Sequence, residues 1–152
     1  MINERRISRK IKVGNTFVGG DSKITVQSMT NTDSADFDTT YAQIKRLENA
    51  GCDIVRMTVP DMNAVRTIEK LKNSDINIPI VADIHFDYKM AVESAVAGAD
   101  KIRINPGNIG GDDRVKAVVD ACRSKNVPIR IGVNSGSLEK NILAKYGRPI
   151  IL

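Results

Sequence analysis

The sequence contains no tryptophan, and phenylalanine and tyrosine together supply only 4% of its 152 residues. That scarcity removes the aromatic platforms on which single-stranded nucleic acid is usually stacked. Cysteine occurs only at Cys52 and Cys122, too few for a disulfide framework or a zinc site. Both read as small buried apolar residues in a reducing compartment. No apolar run approaches the roughly 20 residues of a membrane span. The polar opening from Met1 to Lys10 shows no secretory signal, so the chain reads as cytoplasmic, with no membrane partner. Histidine is confined to His85, and neither a nucleophile constellation nor a metal-ligand cluster is visible, so no catalytic or metal-ligating residue is assigned.

What is present fits one soluble domain with a proper core, at 41% apolar and 27% charged residues. The net charge of +5 and the basic start Arg5-Arg6-Ile7-Ser8-Arg9-Lys10 raise the question of a nucleic-acid partner. The basic residues are spread among acidic ones rather than gathered in a stripe. A positive chain suits an anionic small molecule equally well.

Lys10 to Gly20 carries a hairpin signal, with alternating Ile11 and Val13, a Gly14-Asn15 turn, then Phe17 and Val18. From there the chain is rhythmic. Strands are expected at 24–30, 53–59, 80–84, 101–105 and 129–133, and helices at 38–50, 61–73, 87–97, 112–125 and 137–146, with Asp61 as a cap and Gly51, Gly98 and Gly147 as stops. Strict alternation implies parallel strands with right-handed crossovers. A longer repeat runs over two such units: Ala50-Gly51-Cys52-Asp53-Ile54-Val55-Arg56 resembles Ala97-Gly98-Ala99-Asp100-Lys101-Ile102-Arg103 at an offset of 47 residues. A two-unit period suits an eight-stranded barrel, in which alternate strands fill the same interior layer, better than an open doubly wound sheet. A complete barrel usually takes about 250 residues. The expected fold is therefore an α/β partial TIM-type barrel of about five βα units between residues 24 and 147, preceded by the hairpin at 10–20.

In each strand the face opposite the branched apolar residues is polar: Gln27 and Met29, Arg56 and Thr58, Asp83 and His85, then Lys101, Arg103 and Asn105, then Arg130 and Asn134. Polar residues at the carboxyl ends of barrel strands mark a site, because a purely structural interior is filled with Val, Ile and Leu. Taken alone, Arg103 is an ordinary strand residue tied to a carboxylate. Three inward arginines on neighbouring strands are harder to explain by packing: one can pair with Asp83, which leaves two uncompensated. Guanidinium forks match phosphate oxygens in a bidentate way, so a ligand with one or two phosphates is expected. The turn after the fourth strand, Pro106-Gly107-Asn108-Ile109-Gly110-Gly111, offers free backbone N–H groups and a following helix start to such an anion. The loop Asn31-Thr32-Asp33-Ser34 reads as a capping loop.

Several ordered segments resemble the bacterial 4-hydroxy-3-methylbut-2-enyl diphosphate synthase family. They are Val26-Gln27-Ser28-Met29-Thr30-Asn31-Thr32-Asp33, Cys52-Asp53-Ile54-Val55-Arg56, Val81-Ala82-Asp83-Ile84-His85-Phe86, Lys101-Ile102-Arg103-Ile104-Asn105-Pro106-Gly107-Asn108 and Arg130-Ile131-Gly132-Val133-Asn134-Ser135-Gly136-Ser137. The resemblance implies an oxidoreductase of isoprenoid biosynthesis, on the methylerythritol phosphate route, that opens 2-C-methyl-D-erythritol 2,4-cyclodiphosphate reductively with two electrons and loss of water. It implies ferredoxin or flavodoxin as electron donor. It also implies a [4Fe-4S] cluster, held in the full-length enzyme by three cysteines and a glutamate of a carboxyl-terminal domain that has no counterpart in this sequence; Cys52 and Cys122 do not match those ligands. By the same resemblance Arg56, Asp83, His85, Arg103, Asn105, Arg130 and Asn134 bind substrate. The chain is then expected to be an amino-terminal piece, inactive alone, whose open sheet edges favour a homodimer. The other readings are a dihydropteroate-synthase-like or phospho-sugar barrel and a basic nucleic-acid-binding module.

Overall fold

The computed structural model describes residues 7–133, 136 and 140–147. Along the chain lie β1 (Ile11–Val13), β2 (Thr16–Val18), β3 (Gln27–Met29), α1 (Phe37–Asn49), β4 (Ile54–Thr58), α2 (Met62–Lys72), β5 (Ile80–Ile84), α3 (Tyr88–Val96), β6 (Lys101–Ile104), α4 (Pro106–Ile109), α5 (Asp112–Ser124), β7 (Ile129–Ile131) and α6 (Lys140–Tyr146). Aspartates start three of the helices. Asp36 accepts from the N–H of Thr39, Asp61 from those of Asn63 and Ala64, and Asp87 from that of Lys89, each satisfying amides that the first helical turn leaves open. Gly51 and Gly98, at φ +88° and +97°, end α1 and α3 in the left-handed conformation that glycine adopts without strain.

β1 and β2 pair antiparallel, with Val13 opposite Thr16 across the Gly14-Asn15 turn. Val13 is fully buried, and the Asn15 amide donates to the Asn77 carbonyl at 2.9 Å, which seats the hairpin at the amino end of β5. The main sheet runs β3-β4-β5-β6-β7, every neighbouring pair parallel and consecutive in sequence. Right-handed crossovers that always step in the same direction put the connecting helices α1, α2, α3 and α5 on one side of the sheet. The result is an arc of a barrel rather than a doubly wound sheet, whose strand order reverses part-way. On the helix side Val55, Met57, Ile80, Ala82, Ile84, Ile102 and Ile104 pack with Ile44, Ile68, Leu71, Ala91 and Val118 to form the core. The inner face of the arc carries the alternate residues. Of these Val81 is fully buried at the level of Arg56 and Lys101, and Ile54 is fully buried one layer nearer the amino ends.

The elements depart from expectation at three places. The first strand was expected over 24–30 and covers only Gln27–Met29. Ile24 and Val26 are largely exposed, and the Val26 N–H goes to the Asp53 carboxylate at 2.8 Å instead of a ladder partner. The turn after β6 forms the helical turn α4, with Pro106 at its first position and Asn105 as its cap. The expected strand over 129–133 is ordered as a strand only to Ile131, and the expected start of the last helix, 137–139, lies outside the described residues.

Candidate functional site

Parallel pairing in register brings side chains of neighbouring strands to the same face side by side. Met29 lies beside Arg56, Thr58 beside Asp83, Asp83 beside Arg103, and Arg103 beside Arg130. Thr58, Asp83, Arg103 and Arg130 thus form a polar row across β4–β7 near their carboxyl ends, with Arg56 and Met29 one step toward the amino ends. Its centre is Asp83, 3% exposed. Arg103 Nη1 donates to Asp83 Oδ1 at 3.0 Å, while Arg56 Nε lies 3.5 Å and His85 Nε2 3.6 Å from Oδ2. The expectation that one arginine pairs with Asp83 and two stay uncompensated is corrected here: the carboxylate is shared by two guanidiniums. Such sharing is what a low-dielectric interior demands when cations outnumber anions.

The outer strands complete the seats. Arg56 Nη2 reaches the Met29 sulfur at 3.2 Å, and its Nε is buried with no hydrogen-bond acceptor. Arg103 Nη2 donates to the Gly132 carbonyl at 3.2 Å. Arg130 is on the same face but exposed. Lys101 sits half-buried one step toward the amino end, and burial first, then the positive charge of Arg130, holds its pKa below the ordinary lysine range. Among the described residues the inner face therefore carries Arg56, Lys101, Arg103 and Arg130 against the single carboxylate of Asp83.

Asn105, 2% exposed, spends its side-chain carbonyl on the Gly107 N–H at 3.2 Å as the cap of α4. Its amide remains available beside the row. The helix start expected to face a phosphate is instead occupied by acid, since α5 opens with Asp112 and Asp113, which answer its N-terminal dipole and repel an anion. In the loop after β3, Asp33 accepts from Ala35 N–H and Ser34 meets the Thr58 hydroxyl at 3.2 Å, but the cap of α1 is Asp36, two residues beyond the expected capping loop. Asn134 lies outside the described residues. Sequence reasoning did not single out Gly132, though period-two alternation from Arg130 places it on the inner face. A cavity of about 350 Å³ lined by Lys12, Gly14, Asp100 and Lys125 lies at the opposite end of the strands and takes no part in this row.

The profile of the GcpE TIM-barrel domain matches residues 8–151. This chain belongs to that family. A GcpE-family relative from Pseudomonas paraeruginosa, 4-hydroxy-3-methylbut-2-en-1-yl diphosphate synthase (flavodoxin), is 63% identical over 145 residues, 95% of this chain and 39% of the relative. The protein of the same name from Caldanaerobacter subterraneus is 58% identical over 147 residues, 97% of this chain and 41% of that one. The chain thus spans about two fifths of the length of these relatives. Among solved structures, the dihydropteroate synthase of Xanthomonas albilineans superposes with a TM-score of 0.60 at 17% identity, over 90% of this chain and 54% of the other. That of Vibrio fischeri ES114 gives 0.59 at 18%, over 80% and 48%. At such identity the likeness is one of fold alone.

Proposed function

We propose that this GcpE-family chain forms the diphosphate cradle of a 4-hydroxy-3-methylbut-2-enyl diphosphate synthase, with 2-C-methyl-D-erythritol 2,4-cyclodiphosphate as the ligand. The observation that carries the reading is the charge imbalance of the inner face, four inward cations about one shared carboxylate. A diphosphate supplies the missing negative charge. Arg103 and Arg56, already oriented by Asp83, present guanidinium edges to it, and exposed Arg130 closes from the β7 side. Asn105 donates its free amide, His85 lies at the carboxyl end of β5 beside Asp83, and Asn134 joins them by its place in the family motif. In this reading these residues bind and orient the substrate and hold its ring in place while two electrons open it and water leaves. The electrons come from flavodoxin, named in the relatives, or from ferredoxin.

A [4Fe-4S] cluster would supply those electrons at the substrate in the whole enzyme, but the cysteines described here do not fit one. Cys52 is buried with its sulfur 3.1 Å from the Ile54 carbonyl, and burial pushes the Cys122 thiol up to about 11, away from the thiolate a cluster needs. The outer edges of β3 and β7, unpaired among the described residues, belong to the same proposal as a surface for a second copy, which sedimentation at increasing concentration tests.

Calorimetric titration with the cyclic diphosphate tests the cradle. Arg56→Ala, Arg103→Ala and Arg130→Ala should each weaken binding by about 1.5 to 3 kcal/mol, the range for hydrogen bonds to charged groups. Absence of binding to the unaltered chain would refute the reading. So would equally tight binding to duplex DNA with a steep salt dependence, which marks a phosphate-backbone binder.

A further inference from the structure

Gly132 has no assigned role, yet the space where its side chain would stand is occupied. A Cβ built there would meet the Arg103 guanidinium, falling 2.6 Å from Nη2 and 2.7 Å from Cζ and closer still to Nε. The backbone at Gly132 is not in the left-handed region, so its conformation does not itself call for glycine. Nor is the backbone free to retreat, because the Gly132 N–H donates to the Ile104 carbonyl at 2.8 Å and ties it to the β6 strand that bears Arg103. At the same time the Gly132 carbonyl accepts from Arg103 Nη2 at 3.2 Å. The missing side chain makes the space, and the carbonyl holds what fills it.

We infer that Gly132 is a positioning residue for Arg103: its bare Cα and its carbonyl together form the seat that aims the guanidinium at Asp83 and at the anion site. The inference rests on the cradle proposed above for its functional meaning, though the seat itself stands on geometry alone. Arg103 is gripped at one end by Asp83 and at the other by Gly132, which fixes a long side chain that would otherwise sample many rotamers. A guanidinium so held loses little freedom when it meets an anion. Any side chain at residue 132 pushes the fork off both partners.

The test is a double-mutant cycle of Gly132→Ala and Arg103→Ala, read three ways. Titration with the cyclic diphosphate should show Gly132→Ala weakening binding about tenfold or more, the loss of one charge-assisted hydrogen bond. On the Arg103→Ala background the same substitution should leave affinity unchanged, because there is no guanidinium left to displace. In the ligand-free chain, the Arg103 Nε–H resonance, assigned by its loss in Arg103→Ala, should shift or vanish in Gly132→Ala, and the double variant's loss in thermal midpoint should fall short of the sum of the two single losses. Equal costs on both backgrounds, or an unmoved Nε–H resonance, would overturn the inference. If the unaltered chain binds no cyclic diphosphate, the cradle proposal fails, while the resonance and the stability cycle still decide the role of Gly132.

Discussion

Asp83→Asn removes one atom's worth of charge from the centre of the polar row and hardly changes its shape. The carboxylate now serves Arg103 on one oxygen and faces Arg56 and His85 with the other. Asparagine accepts from only one arginine and turns an NH2 group toward the other. Stripping the counter-charge from a fully buried pair costs about 3 to 5 kcal/mol. The side chains of Arg56 and Arg103 are still 27% and 20% exposed, so water recovers part of that. The expectation is a loss of about 2 kcal/mol, or about 4 to 8 °C in the unfolding midpoint for a chain of this size. Far-UV circular dichroism in a thermal scan at neutral pH, repeated in urea, measures it. Pyrophosphate provides the second arm: it should raise the midpoint of Asp83→Asn by more than that of the unaltered chain, since it replaces a charge the variant lacks. An unchanged midpoint would refute the argument that Asp83 is the electrostatic keystone of the row. A smaller rise with pyrophosphate in the variant would show instead that the arginines need Asp83 chiefly for their orientation.

Two further perturbations probe groups away from the row. Cys122 is 1% exposed and its thiol is pushed up to about 11 by burial, so in a Cys52→Ser variant it should react with a disulfide reagent at mildly alkaline pH only as fast as the chain unfolds; prompt stoichiometric reaction would contradict its burial. The Asp53 carboxyl is held below its ordinary 3.8 by the hydrogen bond from Lys23 Nζ and then by the Val26 N–H. A depressed carboxyl contributes stability above its unfolded value and loses it as pH falls through the folded one, so stability should drop from 3.8 downward and drop less steeply in Asp53→Asn. Denaturant midpoints across acid pH give both slopes, and parallel slopes would count against the Lys23–Asp53 tie.

Some features were legible in the residues because they are local. The 3.6 and 2.0 periods separate helix from strand, Asp61 announces the start of α2, and Gly51 and Gly98 announce stops, since each acts through its nearest amides or its own φ. Asn105-Pro106 held the signal for α4, a cap followed by proline at the first helical position, and the glycines beyond it masked that signal. The alternation that put Arg56, Asp83, Arg103 and Arg130 on one face was likewise readable, because a strand has only two faces. The shortening of β3 was not, for it depends on Asp53, 27 residues after Val26, taking the amide that a ladder would have used.

The sequence by itself determined the βα rhythm, the cationic character of the inner face and the family motifs, all of which follow from residue type and spacing along the chain. Only the tertiary structure decided how the charges are shared. Strand register set Asp83 beside Arg103 and within reach of Arg56, so that one carboxylate serves two arginines. Chain folding also carried Gly132 under Arg103 from 29 residues away, and the absence of a side chain there has meaning only once the guanidinium that occupies its place is known. Charge balance and steric exclusion act through space, at distances of a few ångströms, between residues that spacing along the chain does not relate.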